Sequence, residues 1–306
     1  MKILITAVNG DIGQTAIKIV DDAKMASTII GSDCGISEIG KYFVDELIKV
    51  PRADDPNYIK ALEEYCIKYD IDVIIPISEP EILRLIEIDE IEGAKVIKAN
   101  KKAIEIGSDK LRTYELMREN NIAVPWTCEL NQNPVEYPCV LKDRSGCGSK
   151  SLVMIENERD LEYYREKRSN SILQEMLLPD HEEYTCGVFR GTSSKIFTIA
   201  LKRTLLGGLT GYAEVICSKE LEDYCIKIAK TLDLVGSINI QLRLTSDGPK
   251  VFEINPRFSS TMYFRHKVGF QDLVWSIKDV MGLKLAKSIS IDCTKKFYRY
   301  YESLII

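Results

Sequence analysis

Histidine is scarce in this sequence, which holds only His181 and His266, and none of its nine cysteines stands in a CxxC pair. That argues against a zinc site and against a Ser/His/Asp or Cys/His nucleophilic constellation. The odd cysteine count, scattered from Cys34 to Cys293, reads as the reduced thiols of a cytoplasmic protein. No apolar run approaches the roughly 20 residues of a membrane span. The opening MKILITAVNGDIGQ lacks a signal-peptide layout, so neither export nor a membrane partner is expected. Charge of one sign is nowhere concentrated: acidic and basic residues interleave to a net charge of -5, leaving no nucleic-acid footprint. The Walker A pattern GxxxxGK[ST], internal repeats and low-complexity linkers are also missing.

What is there is an enzyme-sized globular chain of 306 residues, 45% apolar and 28% charged. Residues 2–7, KILITA, run into Asn9-Gly10-Asp11-Ile12-Gly13 and then a helical stretch, the opening of a parallel α/β unit. Further strands are expected at 27–31, 72–76 and 94–99, and Tyr58, Leu62, Tyr65, Cys66 and Tyr69 mark one stripe of a helix between them. This alternation to about Asn100 predicts a small doubly wound domain. After Gly107 the texture changes. Ser108-Asp109 can cap a helix from Lys110 to about Asn120, ended by Val124-Pro125. Strands then dominate, at 137–142, 151–156, 171–177, 184–190, 195–204, 212–217, 237–245, 250–255 and 296–305. One amphipathic helix interrupts them, carrying Leu221, Tyr224, Cys225, Ile228, Ala229 and Leu232 on one face. The expectation is therefore α/β followed by α+β.

Candidate chemistry concentrates near residues 237–257. Strict alternation places Asn239, Gln241 and Arg243 on one face of a strand, and Glu253 and Asn255 on one face of the next. A Ser246-Asp247-Gly248 hairpin turn would bring Gln241 beside the latter pair. One carboxylate and two amide oxygens are hard ligands suited to magnesium shared with nucleotide phosphates. Each residue alone is more simply a solvent-facing polar group; the joint pattern favours the metal. Pro256-Arg257 sets a guanidinium beside them, able to take a carboxylate or a transferring phosphoryl group. Ser259-Ser260-Thr261 offers hydroxyls for a second substrate, although such runs are often plain turns. Lys142 ends a strand and leads into Asp143-Arg144-Ser145-Gly146-Cys147-Gly148-Ser149, whose backbone donors could close over phosphates.

The order Ser108-Asp109-Lys110, Lys142 with its glycine loop, Gln174-Glu175-Met176-Leu177, Glu182-Glu183-Tyr184-Thr185, Gln241 and Glu253-Ile254-Asn255-Pro256-Arg257 resembles the ATP-grasp superfamily. Within it, the ATP-grasp module of the carbamoyl-phosphate synthase large chain is most similar, over about residues 105–285. The resemblance implies a Rossmann-like pre-ATP-grasp domain over 1–105 and a two-lobed ATP-grasp domain over 106–306, its lobes at about 106–177 and 178–306. It implies that ATP, with magnesium or manganese, is bound. Lys110 and Lys142 would contact phosphates, the loop from Arg144 through Gly146 and Gly148 to Ser149 would cover them, and Gln174, Glu175, Met176 and Leu177 would meet adenine, with Glu175 as the side-chain contact. Glu183 would hold ribose, Gln241, Glu253 and Asn255 the metal, and Arg257 the acyl-phosphate step. The synthase has arginines where Lys110 and Lys142 stand, and one module occurs here in place of its two.

The implied reaction joins a small carboxylate to an amine through an acyl phosphate, releasing ADP and phosphate. Two alternatives accompany it: phosphoryl transfer to carbonate or carbamate within a larger assembly, and an ATP-binding regulatory protein without catalysis. The family often dimerises through its first domain, so a homodimer is a further expectation. For the amine, Glu79 lies just past a parallel strand's C-terminal end, where open α/β sheets place their ligands. A competing reading makes Ser78 a helix cap with Glu79 and Glu81 favouring the helix dipole. Ser259 and Ser260 complete the candidate substrate residues.

Overall fold

The computed structural model describes residues 1–146, 152–192 and 195–305; Gly148 and Ser149 of the expected phosphate loop lie outside them. The first sheet is built from β1 (Lys2–Ile5), β2 (Thr28–Asp33), β3 (Glu46–Lys49), β4 (Val73–Ile75), β5 (Glu90–Ile91) and β6 (Ala94–Val96), in the order β3-β2-β1-β4-β6-β5. Every pairing in it is parallel except β5 with β6. Helices α1 (Asp11–Asp22), α2 (Tyr58–Tyr69) and α3 (Glu79–Arg84) connect these strands. Ile3 and Ile5 point to the α1 side of the sheet, whereas Leu4 packs with Tyr58 and Leu62 of α2 on the other. That is the two-sided burial that parallel strands require.

The turn from β1 into α1 explains the Asn9-to-Gly13 motif. Ala7 takes a left-handed φ of 49°, and a Cβ on Gly13 would come within 2.4 Å of the Ala7 carbonyl oxygen and 2.7 Å of the Val8 Cα. The glycine thus allows α1 to cross the strand end closely. The Asn9 side chain is bound inside the fold, donating to the Ser37 carbonyl and accepting from Gly40 N–H, while Asp33 accepts from the Asn9 and Gly35 amides.

Helices α4 (Lys101–Gly107) and α5 (Lys110–Glu119) lead to a four-stranded sheet of β7 (Thr127–Glu129), β8 (Cys139–Asp143), β9 (Val153–Ile155) and β10 (Ser171–Glu175), ordered β7-β10-β8-β9, with α6 (Glu158–Arg165) against it. Asp109 caps α5, accepting from the Leu111 and Arg112 amides. The third sheet is antiparallel throughout: β11 (Glu183–Arg190), β12 (Ile196–Leu206), β13 (Leu209–Ile216), β14 (Gly236–Thr245), β15 (Gly248–Asn255) and β16 (Lys296–Tyr298), ordered β15-β14-β11-β12-β13-β16. Helix α7 (Lys219–Thr231) buries Leu221, Cys225, Ile228 and Ala229 against it. Helices α8 (Met262–Lys267) and α9 (Asp272–Val280) lie across α1, where Met262, Leu273, Val274 and Ile277 join the core of the first sheet.

Two sequence expectations are corrected. The closing strand ends at Tyr298 rather than Ile305: the Arg299 amide makes a last bond to the Gly211 carbonyl, and its guanidinium turns to the Thr210 and Ser260 carbonyls. The cysteines are not all reduced: Cys217 and Cys293 form a disulfide with Cα atoms 5.9 Å apart. Residues 76 apart in sequence carry no local sign of that pairing; the antiparallel return of β16 along β13 creates it. Among the described residues no helix is long and apolar enough to cross a membrane.

Because the atoms a new Cβ would strike at Gly13 are backbone, Gly13→Ala should lower unfolding free energy by about 1–3 kcal/mol, the usual cost of overpacking. Urea denaturation measures this, and an unchanged midpoint would show that α1 can shift at no cost.

Candidate active site

The β14–β15 hairpin closes through Ser246-Asp247, with Thr245 opposite Gly248, whose φ is 101°. Its register pairs Asn239 with Asn255 and Gln241 with Glu253, as the alternation requires. Beyond that point the register shifts: Leu242 faces Val251, so Phe252 is an extra residue with no opposite partner. The bulge frees the Phe252 carbonyl, which accepts from Lys142 Nζ at 3.1 Å, and the Val251 N–H donates to the Tyr224 hydroxyl of α7 at 2.8 Å. Both Phe252 and Glu253 thereby face a cavity of about 440 Å³ between the second and third sheets.

Lys110 and Lys142 line one end of this cavity. Lys110 Nζ lies 3.7 Å from Glu253 Oε1 and donates to the Gly146 carbonyl at 2.7 Å. The Lys142 ammonium is enclosed although part of its side chain still meets solvent. Burial pushes its pKa down to about 7, Lys110 adds to the decrease, and Glu253 opposes it. The backbone before Gly146 is held by Arg144, whose guanidinium binds both oxygens of Asp109.

The other end is lined by Gln174, Glu175 and Leu177. Gln174 is buried with its amide donating to Thr127 Oγ1 at 3.0 Å, and Met176 is not part of the lining. The Glu175 carboxylate accepts from Lys250 Nζ at 2.7 Å and from the Trp126 amide, tying β10 to β15. Glu183 lines the cavity, and its carboxylate lies between Arg203 and Arg243. Arg203 also donates to Gln241 Oε1 at 2.8 Å.

Sequence reasoning missed Arg203, Lys250 and Phe252. Arg243 shares the Gln241 face by alternation, and nothing in the sequence points to Glu183 as its partner. Alternation is the only signal that could have found the arginines. The bulge has none, since Val251 to Asn255 reads as a regular strand.

Gln241 and Glu253 line the cavity, while Asn255 is buried beside Asn239 with its amide nitrogen unpartnered. Among the described residues no group of three His, Cys, Asp or Glu could hold a metal. One carboxylate with two amide oxygens fits a hard cation whose charge is balanced chiefly by phosphates. Arg257 follows, its Nη1 donating to the Phe258 carbonyl. The Ser259 hydroxyl turns inward, bonding Thr261 Oγ1 and accepting from buried Arg265. Ser260 is partly buried, its carbonyl held by Arg299.

The first domain contributes the turn before α3. Glu81 completes the helix cap there, accepting from Ser78 N–H and hydroxyl, from Thr6 and from Tyr58. Glu79 is spared that task and is 9% exposed. Burial raises its pKa above the ordinary carboxylate range; Arg257, Lys110 and the Gly146 amide oppose the shift, and Glu253 adds to it. Those neighbours put it near the Lys110 and Glu253 end of the cavity.

A PylC-like N-terminal domain model matches residues 3–99. In three dimensions the chain is similar to N5-carboxyaminoimidazole synthetase from Staphylococcus aureus complexed with ADP, with a TM-score of 0.76 and 20% identity over 95% of this chain and 79% of that one. It is also similar to biotin carboxylase from Campylobacter jejuni in a β-γ-ATP complex, at a TM-score of 0.75 and 18% identity over 95% and 73% of the two chains. The L-amino acid ligase of Bacillus licheniformis matches at 0.73 and 15% over 91% and 74%. At these identities the likeness speaks for the fold. The ATP-grasp domain model matches residues 107–261, half of the sequence, and the chain belongs to the ATP-grasp family.

Proposed function

We propose that this chain is an ATP-dependent, ADP-forming carboxylate–amine ligase. The observation that carries the reading is the cavity between the second and third sheets, with Lys110, Lys142, Gln241 and Glu253 at one end and Gln174, Glu175 and Leu177 at the other. Cations and hard oxygen donors suit the triphosphate; the Leu177 side, between Val140, Leu152 and Leu205, suits a flat apolar base. Since the Glu175 carboxylate is bonded to Lys250, the backbone of residues 175–177 is left to read adenine. Glu183, fixed between two arginines, is oriented toward ribose.

In the first step a substrate carboxylate oxygen attacks the γ-phosphorus and the bond to ADP breaks. In the second an amine nitrogen attacks the acyl carbon, loses a proton, and inorganic phosphate leaves. Lys110 and Lys142 hold phosphate oxygens, and Arg257 steadies the charge that passes to the acyl phosphate. Magnesium held by Gln241, Glu253 and Asn255 would supply further charge neutralisation when bound. No side-chain nucleophile is needed, in keeping with the scarcity of histidine.

Replacing Glu253→Gln should reduce ADP release by about 100-fold or more, measured over a panel of carboxylates with hydroxylamine as the nucleophile; parent-like turnover would sink the site assignment. For Lys142→Met, nucleotide affinity should fall roughly 10- to 100-fold, the loss of one charge-assisted hydrogen bond. Its pH dependence has a defined sign. Folded, nucleotide-free protein releases the Lys142 proton near pH 7, whereas the unfolded chain keeps it to about 10.5. Between those values the unfolded chain binds one more proton, so parent stability rises with pH across the window. Lys142→Met should lack that slope in urea titrations; equal slopes would remove Lys142 as its source.

A further inference from the structure

One guanidinium outside the cavity joins three parts of the molecule. Arg299 Nη2 donates to the Ser260 carbonyl at 2.8 Å, its Nε to the Thr210 carbonyl of β13 at 3.0 Å, and its Nη1 lies 3.5 Å from Asp11 Oδ2 at the start of α1. Ser260 stands three residues after Arg257 in the turn between β15 and α8. The inner side of that turn is held by Arg265 through the Ser259 hydroxyl, the outer side by Arg299. What lies behind the two grips differs. Arg265 is fully buried in α8, whereas Arg299 follows β16, a three-residue strand that pairs with β13 alone and exposes Lys296 and Tyr298. Phe297, half-buried, stacks flat on Phe264 of α8 with ring centroids 4.9 Å apart. Ordering a residue costs more backbone entropy than one net hydrogen bond returns, so a strand this short depends on an anchor. The Cys217–Cys293 disulfide provides it. Cys217 directly follows β13, Cys293 precedes β16 by three residues, and the Val215 N–H donates to the Lys295 carbonyl between them. Both cysteines are exposed, open to attack by a thiolate from solution.

We infer that Arg299 is a positioning residue for the turn that carries Arg257, and that the Cys217–Cys293 bridge sets how firmly it acts, so that the site responds to thiol redox state. This rests on the carboxylate-activating reading proposed above, in which Arg257 serves the acyl phosphate, and adds regulation to it. A dithiol supplies the two electrons. Its first thiolate breaks the bridge by forming a mixed disulfide, its second displaces the protein sulfur to close a disulfide of its own, and Cys217 and Cys293 are left as thiols carrying the two protons the dithiol gave up. β16 then keeps its three ladder pairs, the exposed Lys296–Glu214 ion pair and the ring stack on Phe264. Arg299 is released from Ser260 more often, and Arg257 loses its fixed direction. Lys110 on α5 and Lys142 on β8 stand outside this chain of contacts, so nucleotide binding is spared.

The test compares the full chain oxidised with the same chain reduced by dithiothreitol and freed of the reagent, using magnesium-ATP, hydroxylamine and the panel of carboxylates. Intact mass after thiol alkylation reports the state of the bridge, and thermal unfolding establishes that every form is folded at the assay temperature. Reduction should raise KM for the activated carboxylate roughly 2- to 30-fold, the range for residues that touch neither ligand, with KM for ATP unchanged. Hydrogen exchange at the amides of residues 257–264 should quicken in parallel. Cys293→Ser should match the reduced parent whether or not dithiothreitol is used. Arg299→Gln should retain the bridge, behave like the reduced parent and lose the response to reductant, and Arg299→Lys, which keeps a charged donor, should restore part of it. Equal KM and exchange in the two redox states overturn the inference, as does a full response in Arg299→Gln. An equal rise in KM for ATP overturns it too, by showing general loosening, and so does an air-oxidised chain in which Cys217 and Cys293 remain thiols. A parent that releases no ADP with any carboxylate in either state defeats the ligase reading, a distinct outcome. Exchange then decides for Arg299: dependence on redox state in the parent but not in Arg299→Gln upholds its coupling to the bridge, and any other pattern overturns it.

Discussion

One extra residue in β15 sets the geometry on which the site depends. Without the bulge at Phe252, Val251 to Asn255 would alternate regularly, and Phe252 and Glu253 would lie on opposite faces. With it, both meet the cavity, the freed Phe252 carbonyl holds Lys142, and the Val251 amide is taken up by Tyr224. A lysine at the end of β8 is thereby hydrogen-bonded to a strand of a different sheet. Backbone atoms released from a ladder are costly when buried unless something else binds them; here the substitutes are the groups that join the two sheets around the cavity.

Charge is arranged with similar economy. Glu183 is shared between Arg203 and Arg243, Arg203 is shared with Gln241, and Glu175 holds Lys250. These partners cross β11, β12, β14 and β15 or join β10 to β15, and they fix side chains whose rotamers would otherwise cost entropy to immobilise on ligand binding. Lys142 differs: its ammonium is enclosed with Glu253 nearby, but among the described residues it forms no ion pair.

Much of this was legible from local pattern. The hairpin register of Gln241 with Glu253 follows from alternation and a two-residue turn, α7 from its apolar stripe, and the capped start of α5 from Ser108-Asp109. Other features were not legible because they are long-range or degenerate. Glu79 and Glu81 are equivalent as letters in a helix start; only the approach of Thr6 and Tyr58 decides that Glu81 is structural. Ser259 reads as an available hydroxyl until Arg265 is found buried behind it. Glu175 reads as a free carboxylate, and nothing local announces its bond to Lys250, 75 residues away. In each case the sequence identifies a capable group, and the packing decides whether its capacity is already used.

The disulfide between Cys217 and Cys293 encloses a particular part of the chain. The covalent ring it closes contains α7, β14, β15, α8 and α9, hence Gln241, Glu253, Asn255 and Arg257 together. A single backbone cleavage anywhere from residue 218 to 292 therefore leaves one covalent molecule as long as the bridge stays oxidised. The hairpin and the turn after it can be opened as a loop without being lost as a fragment, and the integrity of the chain in this region is governed by thiol chemistry as much as by its peptide bonds.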